Sequence, residues 1–291
     1  MEDKKLACAI TMVKDDYFFL ERWIGYYGAL FGRDSLYVVS HGGDPKVAEI
    51  AQGANVIAIP GVFNEKFDAV RWRLLSNLGN GLRGYYNFVI VGDVDEYLVF
   101  DPKTGMTLPE FLQKRRGKAV ITPIGLEVVH KPELEHDPVA AQMLGPRRFV
   151  RFSSAYSKPC LFNRPVSLSR GGHFTKEPGL KIFRHLYLFH MRFVDEGLYA
   201  DTLAKRHAQV DTIQNSDADN MISWNWRRDT GRGDPFLRAS ALPVVDDFDL
   251  SDDVKQLDTS WGPRDETGYY GSDKNIGGKL YTLPERFFGL L

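Results

Sequence analysis

The sequence lacks most features that would set the protein apart from ordinary globular chains. Only two of its 291 residues are cysteines, Cys8 and Cys160, and both lie in apolar surroundings. We therefore expect buried thiols rather than a disulfide framework. There is no stretch of about 18 apolar residues, and the first apolar segment is too short for a signal peptide or a membrane span. These absences predict a soluble, cytoplasmic protein.

A charge excess of either sign is also missing. The formal net charge is -1, so bulk electrostatics do not favour a nucleic-acid partner. Hydrophobic residues make up 43% and charged residues 26%, which predicts a normal core. Two basic clusters, residues 114–116 and 147–148, could meet an anionic polysaccharide or lipid headgroups. A peripheral membrane contact therefore stays open.

What the sequence contains is an alternation of apolar runs and helical patterns. Four runs have the composition of buried strands: residues 6–13, 36–40, 54–59 and 86–91. Apolar residues at helical spacing lie between them, and the third helix is predicted to bury one face formed by Phe67, Val70, Leu74 and Leu78. Such alternation predicts right-handed βαβ units in a mostly parallel sheet flanked by helices.

The usual nucleotide-binding loops are absent from this Rossmann-like half. No G-x-G-x-x-G follows the first strand, where the chain reads Val13-Lys14-Asp15-Asp16, and no P-loop is present. Beyond residue 98 the pattern breaks into short strands and a polar helix at 196–209. We divide the chain into an α/β domain, residues 1–210, and an irregular C-terminal extension, residues 211–291, packed on it.

Two carboxylates follow the fourth predicted strand. Asp93 and Asp95 lie where ligands bind in open α/β sheets, beyond the carboxyl ends of the strands. Residues i and i+2 of an extended backbone point to the same side. Oxygen ligands suit Mg²⁺ or Mn²⁺, which would neutralise charge on a departing nucleoside diphosphate. The alternatives are turn residues that cap a strand, or a phosphatase D-x-D, which would follow the first strand instead.

Two sequence blocks carry a family resemblance. They are Ile10-Thr11-Met12-Val13-Lys14-Asp15-Asp16 with Leu20-Glu21-Arg22-Trp23, and Gly92-Asp93-Val94-Asp95-Glu96-Tyr97-Leu98. They resemble the family-2-like glycosyltransferases of the GT-A fold, and weaker matches extend the similarity over roughly residues 6–206. The weaker blocks are Ser157-Lys158-Pro159, Gly172-His173-Phe174 and Phe189-His190-Met191-Arg192. The resemblance implies a GT-A fold, a UDP-linked sugar donor, Mn²⁺ or Mg²⁺, and inversion at the transferred sugar.

The same resemblance implies where the donor nucleotide lies. Thr11 and Val13 would lie beside the base. Asp44 would accept from a ribose hydroxyl, or would simply cap the following helix. Arg71 is the best diphosphate partner, since a guanidinium can grip two phosphate oxygens. Lys66 would assist it, or would lie on a solvated helix face.

The third metal ligand and the general base are the remaining candidates. His190 matches the family's histidine and would complete the metal shell with Asp93 and catalytic Asp95; His173 is the second choice and a substrate contact. An inverting transfer needs a base near the acceptor hydroxyl. Glu127 and Asp195 are the candidates, each with a surface carboxylate as the ordinary alternative.

These features predict a metal-dependent glycosyltransferase that acts on a hydroxyl of a glycan, lipid-linked or protein acceptor. Trp224, Trp226 and Trp261 could stack on sugar faces, although buried packing is their ordinary role. One alternative is a sugar-phosphate nucleotidyltransferase, which would normally open with a Gly-rich loop that this chain lacks. Another is a degenerate nucleotide-sugar-binding module, which would be expected to lack the two aspartates.

Overall fold

The computed structural model describes residues 4–64, 66–115, 117–169, 171–211, 234–264, 268–272 and 274–291. The described part has a mixed α/β fold, with helices packed on an eleven-stranded sheet and a separate four-stranded sheet. The strands are β1 Lys5–Val13, β2 Leu36–His41, β3 Asn55–Ile59, β4 Tyr86–Val91, β5 Glu96–Phe100, β6 Val120–Val129, β7 Phe149–Phe152, β8 Leu161–Phe162, β9 Leu168–Ser169, β10 Phe174–Thr175, β11 Ile182–Phe193, β12 Val244–Val245, β13 Trp261–Pro263, β14 Tyr270–Ser272 and β15 Leu280–Thr282. The helices are α1 Tyr17–Phe31, α2 Pro45–Ile50, α3 Phe67–Leu82, α4 Leu108–Lys114, α5 Glu196–Val210, α6 Pro235–Ser240 and α7 Ser251–Ser260.

The first four strands form the parallel half of the large sheet. Their order is β4-β1-β2-β3, and every pairing among them is parallel. The predicted strands and connecting helices of this half are confirmed. Because parallel strands end at the same edge, the residues after β1, β2 and β4 lie together, and Gly92 N donates to Ile10 O at 3.2 Å. This edge is where the acidic motif lies.

The rest of the sheet is mixed. Strand β8 lies antiparallel to both β4 and β6, and β6 in turn pairs antiparallel with β7 and parallel with β11. Strand β5 runs antiparallel to β11. The two registers place His190 of β11 beside Glu127 of β6 on one side and Glu96 of β5 on the other. The chain thus brings residues distant in sequence to one site.

Helices cover both faces of the parallel half. On one face α1 buries Leu20, Trp23 and Tyr27; on the other, α3 buries Trp72 and Leu75. These apolar side chains form the core that holds the strand ends in place.

The predicted apolar face of α3 is confirmed in part: Phe67 and Leu78 are partly buried and pack against the core, but Val70 and Leu74 do not. Val70 and Leu74 are 47% and 37% exposed, whereas Trp72 is fully buried. The buried stripe continues through Ser76 to Gly79, where an added Cβ would lie 2.9 Å from the Phe162 ring. Small residues of this kind look like a polar face in the sequence, yet they let the helix approach the sheet closely.

The C-terminal region contributes more to the fold than expected. The extension was predicted to be irregular, yet it contains the short helices α6 and α7, and β15 joins the large sheet beside β7 and β12. Residues 212–233, with Trp224 and Trp226, lie outside the described residues. Both cysteines are free and buried, as expected, and burial raises the pKa of each thiol to about 12. Among the described residues no helix has the length and apolar character needed to span a membrane.

Candidate active site

The acidic motif forms a tight turn between β4 and β5. Glu96 N donates to Asp93 O at 3.1 Å, and Asp93 N donates to Glu96 Oε2 at 3.0 Å. Met191 N of β11 donates to Asp95 O at 2.9 Å, which fixes the turn against the neighbouring strand. The Asp93 side chain is 27% exposed and that of Asp95 11%. Both carboxylates therefore lie at the strand-end edge of the sheet, partly open to solvent.

Asp93 lies between two cations. Arg71 of α3 forms an ion pair with Asp93 Oδ1, and Lys158 Nζ lies 3.9 Å from Oδ2. Burial alone would raise the pKa of Asp93, but the charges of Arg71 and Lys158 hold it well below its ordinary value. Asp93 is therefore ionised.

Lys158 also neutralises Glu96. Its Nζ lies 2.7 Å from Glu96 Oε1 and donates to Gly171 O at 3.1 Å. Burial lowers the pKa of Lys158, but Glu96 and Asp93 outweigh burial and raise it. Conversely, burial raises the pKa of Glu96 against the opposing charge of Lys158. This ion pair therefore anchors Glu96, the residue that ends the turn.

A second series of side-chain contacts begins at Asp95. His190 Nε2 lies 3.3 Å from Asp95 Oδ2, and its Nδ1 lies 3.3 Å from Glu127 Oε1. Arg151 Nε donates to Glu127 Oε2 at 2.6 Å, and the Tyr156 ring stacks on His190 with centroids 3.7 Å apart. Burial lowers the pKa of His190, but Asp95 and Glu127 raise it to about 9, so the imidazole is protonated at neutral pH.

Four contributors to this site were not identified from the sequence: Glu96, Arg151, Tyr156 and Lys158. The first follows the D-x-D directly, and its role as an ion-pair partner depends on a lysine far away in sequence. The others come from β7 and the segment between β7 and β8. The available signals were the blocks that carry the family resemblance, because Glu96 lies in one of them and Lys158 in another.

The predicted nucleotide contacts occupy the edge of the parallel strands. Thr11 is fully buried, and within the described part of the chain its Oγ1 has no hydrogen-bond partner; Val13 is 2% exposed. Asp44 caps α2 by accepting from Lys46 N at 2.9 Å, which is the alternative that the sequence left open. Lys66 is exposed at the start of α3.

Three further candidates have well-defined partners. His173 Nδ1 is hydrogen-bonded to Ala155 O, and burial together with the nearby Lys158 charge lowers the pKa of His173 to about 3. Asp195 caps α5, accepting from Gly197 N at 3.0 Å and from Leu198 N at 3.1 Å. Glu127 is 1% exposed, and both of its oxygens are engaged.

The expectation for the basic cluster at residues 147–148 changes, whereas Trp261 agrees with the packing alternative. Arg147 is not open to a polysaccharide or a lipid headgroup: it is 1% exposed, donates to Val194 O at 2.7 Å and pairs with Asp195. Its guanidinium crosslinks backbone segments instead of meeting an outside anion. Trp261 is partly buried in β13, within the small sheet.

The side chains that could ligate a divalent cation meet its requirements only in part. Among the described residues, no group of three or more His, Cys, Asp or Glu side chains is arranged to hold a metal ion. The 3.3 Å between Asp95 Oδ2 and His190 Nε2 is nonetheless a separation that two ligands of one ion can have, given bonds of about 2.0–2.2 Å. Such binding requires a neutral imidazole.

Comparisons with known proteins add little. No family model matches the chain, and no curated protein does. Among solved structures, a mannose-1-phosphate geranyltransferase from Thermus thermophilus aligns with 15% identity and a TM-score of 0.29, covering 70% of this chain. The chain spans 61% of that protein's length. A TM-score this low supports no argument about function. Any functional argument therefore rests on the geometry of the site.

Proposed function

We propose that this protein is a GT-A-type glycosyltransferase that moves a sugar from a UDP-linked donor to a hydroxyl of a glycan, lipid-linked or protein acceptor. The observation that carries the proposal is the position of Asp93 and Asp95. They lie at the carboxyl edge of the parallel strands, within reach of three cationic side chains: Arg71, Lys158 and His190. In α/β folds this edge binds ligands, and Arg71 supplies a cation there for a diphosphate.

Arg71 is the group proposed to bind the diphosphate. It is anchored on α3, its side chain is 15% exposed, and it already binds one carboxylate oxygen, Asp93 Oδ1. A guanidinium can present two parallel N–H donors to phosphate oxygens. Lys158 is too deeply buried to leave Glu96, so it acts by keeping Asp93 ionised and in place.

Asp95 and His190, with Asp93 beside them, are the residues that would hold Mn²⁺ or Mg²⁺. When bound, the ion supplies charge neutralisation for the leaving diphosphate. The chain's own contribution is to orient the two ligands. Glu127 does so by its hydrogen bond to His190, Tyr156 by stacking on the imidazole, and Met191 by its backbone contact with Asp95.

Direct displacement with inversion is the mechanism that the sequence resemblance implies. It requires a base near the acceptor hydroxyl. Glu127 suits this role poorly, since burial is outweighed by Arg151 and His190 and its pKa is lowered to about 2. The Asp195 carboxylate already accepts hydrogen bonds from two backbone N–H groups in the first turn of α5. We therefore assign neither of them to proton abstraction.

Calorimetry tests the donor site. UDP should bind in the presence of Mn²⁺ and bind at least about tenfold more weakly in its absence, and Asp95→Ala should remove the metal dependence. Asp252→Asn, on the exposed face of α7, is the matched control and should leave UDP affinity unchanged. UDP binding that is independent of metal and survives Asp95→Ala would show that the proposed site is wrong.

Turnover assays separate the alternatives. A glycosyltransferase should hydrolyse or transfer from one nucleotide sugar in a Mn²⁺-dependent reaction, and that donor should also raise the melting temperature. A sugar-phosphate nucleotidyltransferase would instead convert UTP and a sugar 1-phosphate, with release of pyrophosphate. A degenerate binding module would be stabilised by a nucleotide sugar and catalyse neither reaction.

A further inference from the structure

Glu127 is separated from Asp95 by the His190 ring and has no free oxygen for an acceptor. We infer that Glu127 is a positioning residue, which holds the His190 imidazole so that Nε2 faces Asp95, while Arg151 holds the Glu127 carboxylate. The inference rests on the proposed function only in treating Asp95 as part of the donor site.

The sheet register makes this contact possible. Strands β6 and β11 run parallel, with the Cα of Glu127 paired to that of His190. Paired residues of adjacent strands point to the same face, so the carboxylate and the imidazole meet without any loop to place them. Glu127 is 1% exposed and His190 4% exposed, so the pair is shielded from competing water.

The ring is held in both position and orientation. A carboxylate accepts hydrogen bonds only, so the 3.3 Å contact with Glu127 Oε1 requires a proton on His190 Nδ1. Nε2 is then directed at Asp95 Oδ2, also at 3.3 Å. The stacked Tyr156 ring, inclined by 20° to the imidazole, restricts rotation of the ring plane.

The carboxylate itself has no oxygen to spare for an acceptor sugar. Its Oε1 faces His190, and its Oε2 accepts from Arg151 Nε at 2.6 Å with a second guanidinium nitrogen close by. A general base must lie within hydrogen-bonding distance of the hydroxyl that it deprotonates. Glu127 therefore acts through His190. Outer carboxylates that orient a ligating histidine commonly change metal affinity by about 10- to 100-fold.

Nuclear magnetic resonance of the metal-free protein tests the contact directly. With ¹⁵N-labelled histidine, and His190→Gln used for assignment, the His190 Nδ1–H signal should be downfield and slow to exchange. Glu127→Ala should abolish that signal, and Arg151→Met should weaken it while leaving Glu127 present. Glu135→Gln is the matched control, because Glu135 is also buried and accepts from Lys131 N at 2.9 Å at a different place in the fold. It should leave the signal unchanged.

Equilibrium binding of Mn²⁺ in the presence of UDP supplies the functional readout. Glu127→Ala should weaken Mn²⁺ binding about tenfold or more, and Glu127→Gln, which keeps an accepting oxygen, should recover part of the loss. If wild-type protein binds no Mn²⁺ but shows the Nδ1–H signal and loses it in Glu127→Ala, the positioning role stands and the metal-dependent function fails. If the signal is absent in wild type, or persists in Glu127→Ala, the positioning role is overturned.

Discussion

Lys158 Nζ lies 2.7 Å from Glu96 Oε1, and both side chains are almost completely excluded from solvent. Glu96 follows directly on the D-x-D, so this buried pair supports the turn that presents Asp93 and Asp95. Breaking one half of a buried pair leaves an uncompensated charge in the protein interior, which costs far more than loss of a surface contact. Stability and site geometry are therefore linked at this pair.

Lys158→Met should destabilise the fold by about 3–5 kcal/mol. The reason is that Glu96 would keep its burial and lose its cation. Urea unfolding measures the change. Lys5→Met is the control, because Lys5 pairs with Asp34 at a site where both side chains are at least half exposed, and it should cost about 0–1 kcal/mol. Equal losses for the two variants would contradict the assignment of Lys158–Glu96 as the supporting pair.

Arg71→Met should weaken UDP binding by about 10- to 100-fold, the range expected when hydrogen bonds to a charged group are lost. Arg71→Lys should fall between, because an ammonium keeps the charge and loses the paired donors. Isothermal titration calorimetry gives the affinities. Arg73→Met, exposed on the same helix, should leave UDP binding unchanged. An Arg73 effect as large as that of Arg71 would point to nonspecific attraction by the helix.

The protonation of His190 predicts how stability depends on pH. Burial lowers the pKa of His190, but Asp95 and Glu127 raise it to about 9, above the ordinary 6.5. Because the folded protein binds this proton more tightly than the unfolded chain, the stabilisation is complete below about pH 6.5. It is lost as the pH rises through about 9. Its size should be on the order of 3 kcal/mol.

The measurement compares wild type with His190→Gln by urea unfolding at pH 6.5 and at pH 9.5. The stability difference between the two proteins should shrink at the higher pH, because wild type loses the contribution of the imidazolium as the pH rises through about 9 and the variant lacks it at both pH values. A difference that stays constant would mean that the imidazolium is not held by the two carboxylates.

Gly125→Ala should disturb the site by displacing the neighbouring backbone at Tyr156 and Ser157. An added Cβ would lie 2.3 Å from Tyr156 C and 2.4 Å from Ser157 N, both backbone atoms that cannot yield cheaply. The Gly125 N–H also donates to Ser157 Oγ at 2.9 Å. The displaced segment carries Tyr156 and Lys158, so UDP affinity and stability should fall together, the latter by about 1–3 kcal/mol. Differential scanning calorimetry and UDP titration measure the two effects.

Gly81→Ala is the control for this variant. Gly81 lies within α3 with nothing within 4 Å of an added Cβ, so alanine should be neutral or stabilise by up to about 1 kcal/mol. If Gly125→Ala were tolerated as well as Gly81→Ala, the close approach of the 153–157 segment to β6 would not hold in solution.

Much of the parallel half was predictable because its signals are local. Strands that are buried on both faces appear as continuous apolar runs, as in β1 and β4. The helices between such strands show apolar residues at helical spacing. The rotation of α3 was not predictable in the same way. Its buried face runs through Ser76 and Gly79, and small residues have no apolar signature until the neighbouring Phe162 is known.

The same distinction between local signals and contacts of distant residues applies to the candidate site. Asp93 and Asp95 could be located from the sequence because they follow a recognisable strand, and Arg71 because its helix leads into that strand. Asp44 could not be decided, since an N-cap and a ribose contact require the same residue type. The sequence makes Glu127 a candidate base because it does not show that His190 and Arg151 are its neighbours.

The position of the acidic motif follows from local sequence pattern: it comes after the fourth apolar run of an α/β pattern, with no dinucleotide or P-loop signature before it. The surroundings of that motif depend instead on how the whole chain folds. Lys158 and His190 contact it, and Glu127 contacts His190, because β8, β6 and β11 pair in one sheet. Strand pairing between distant segments depends on how the whole chain packs, and no local pattern of residues records it.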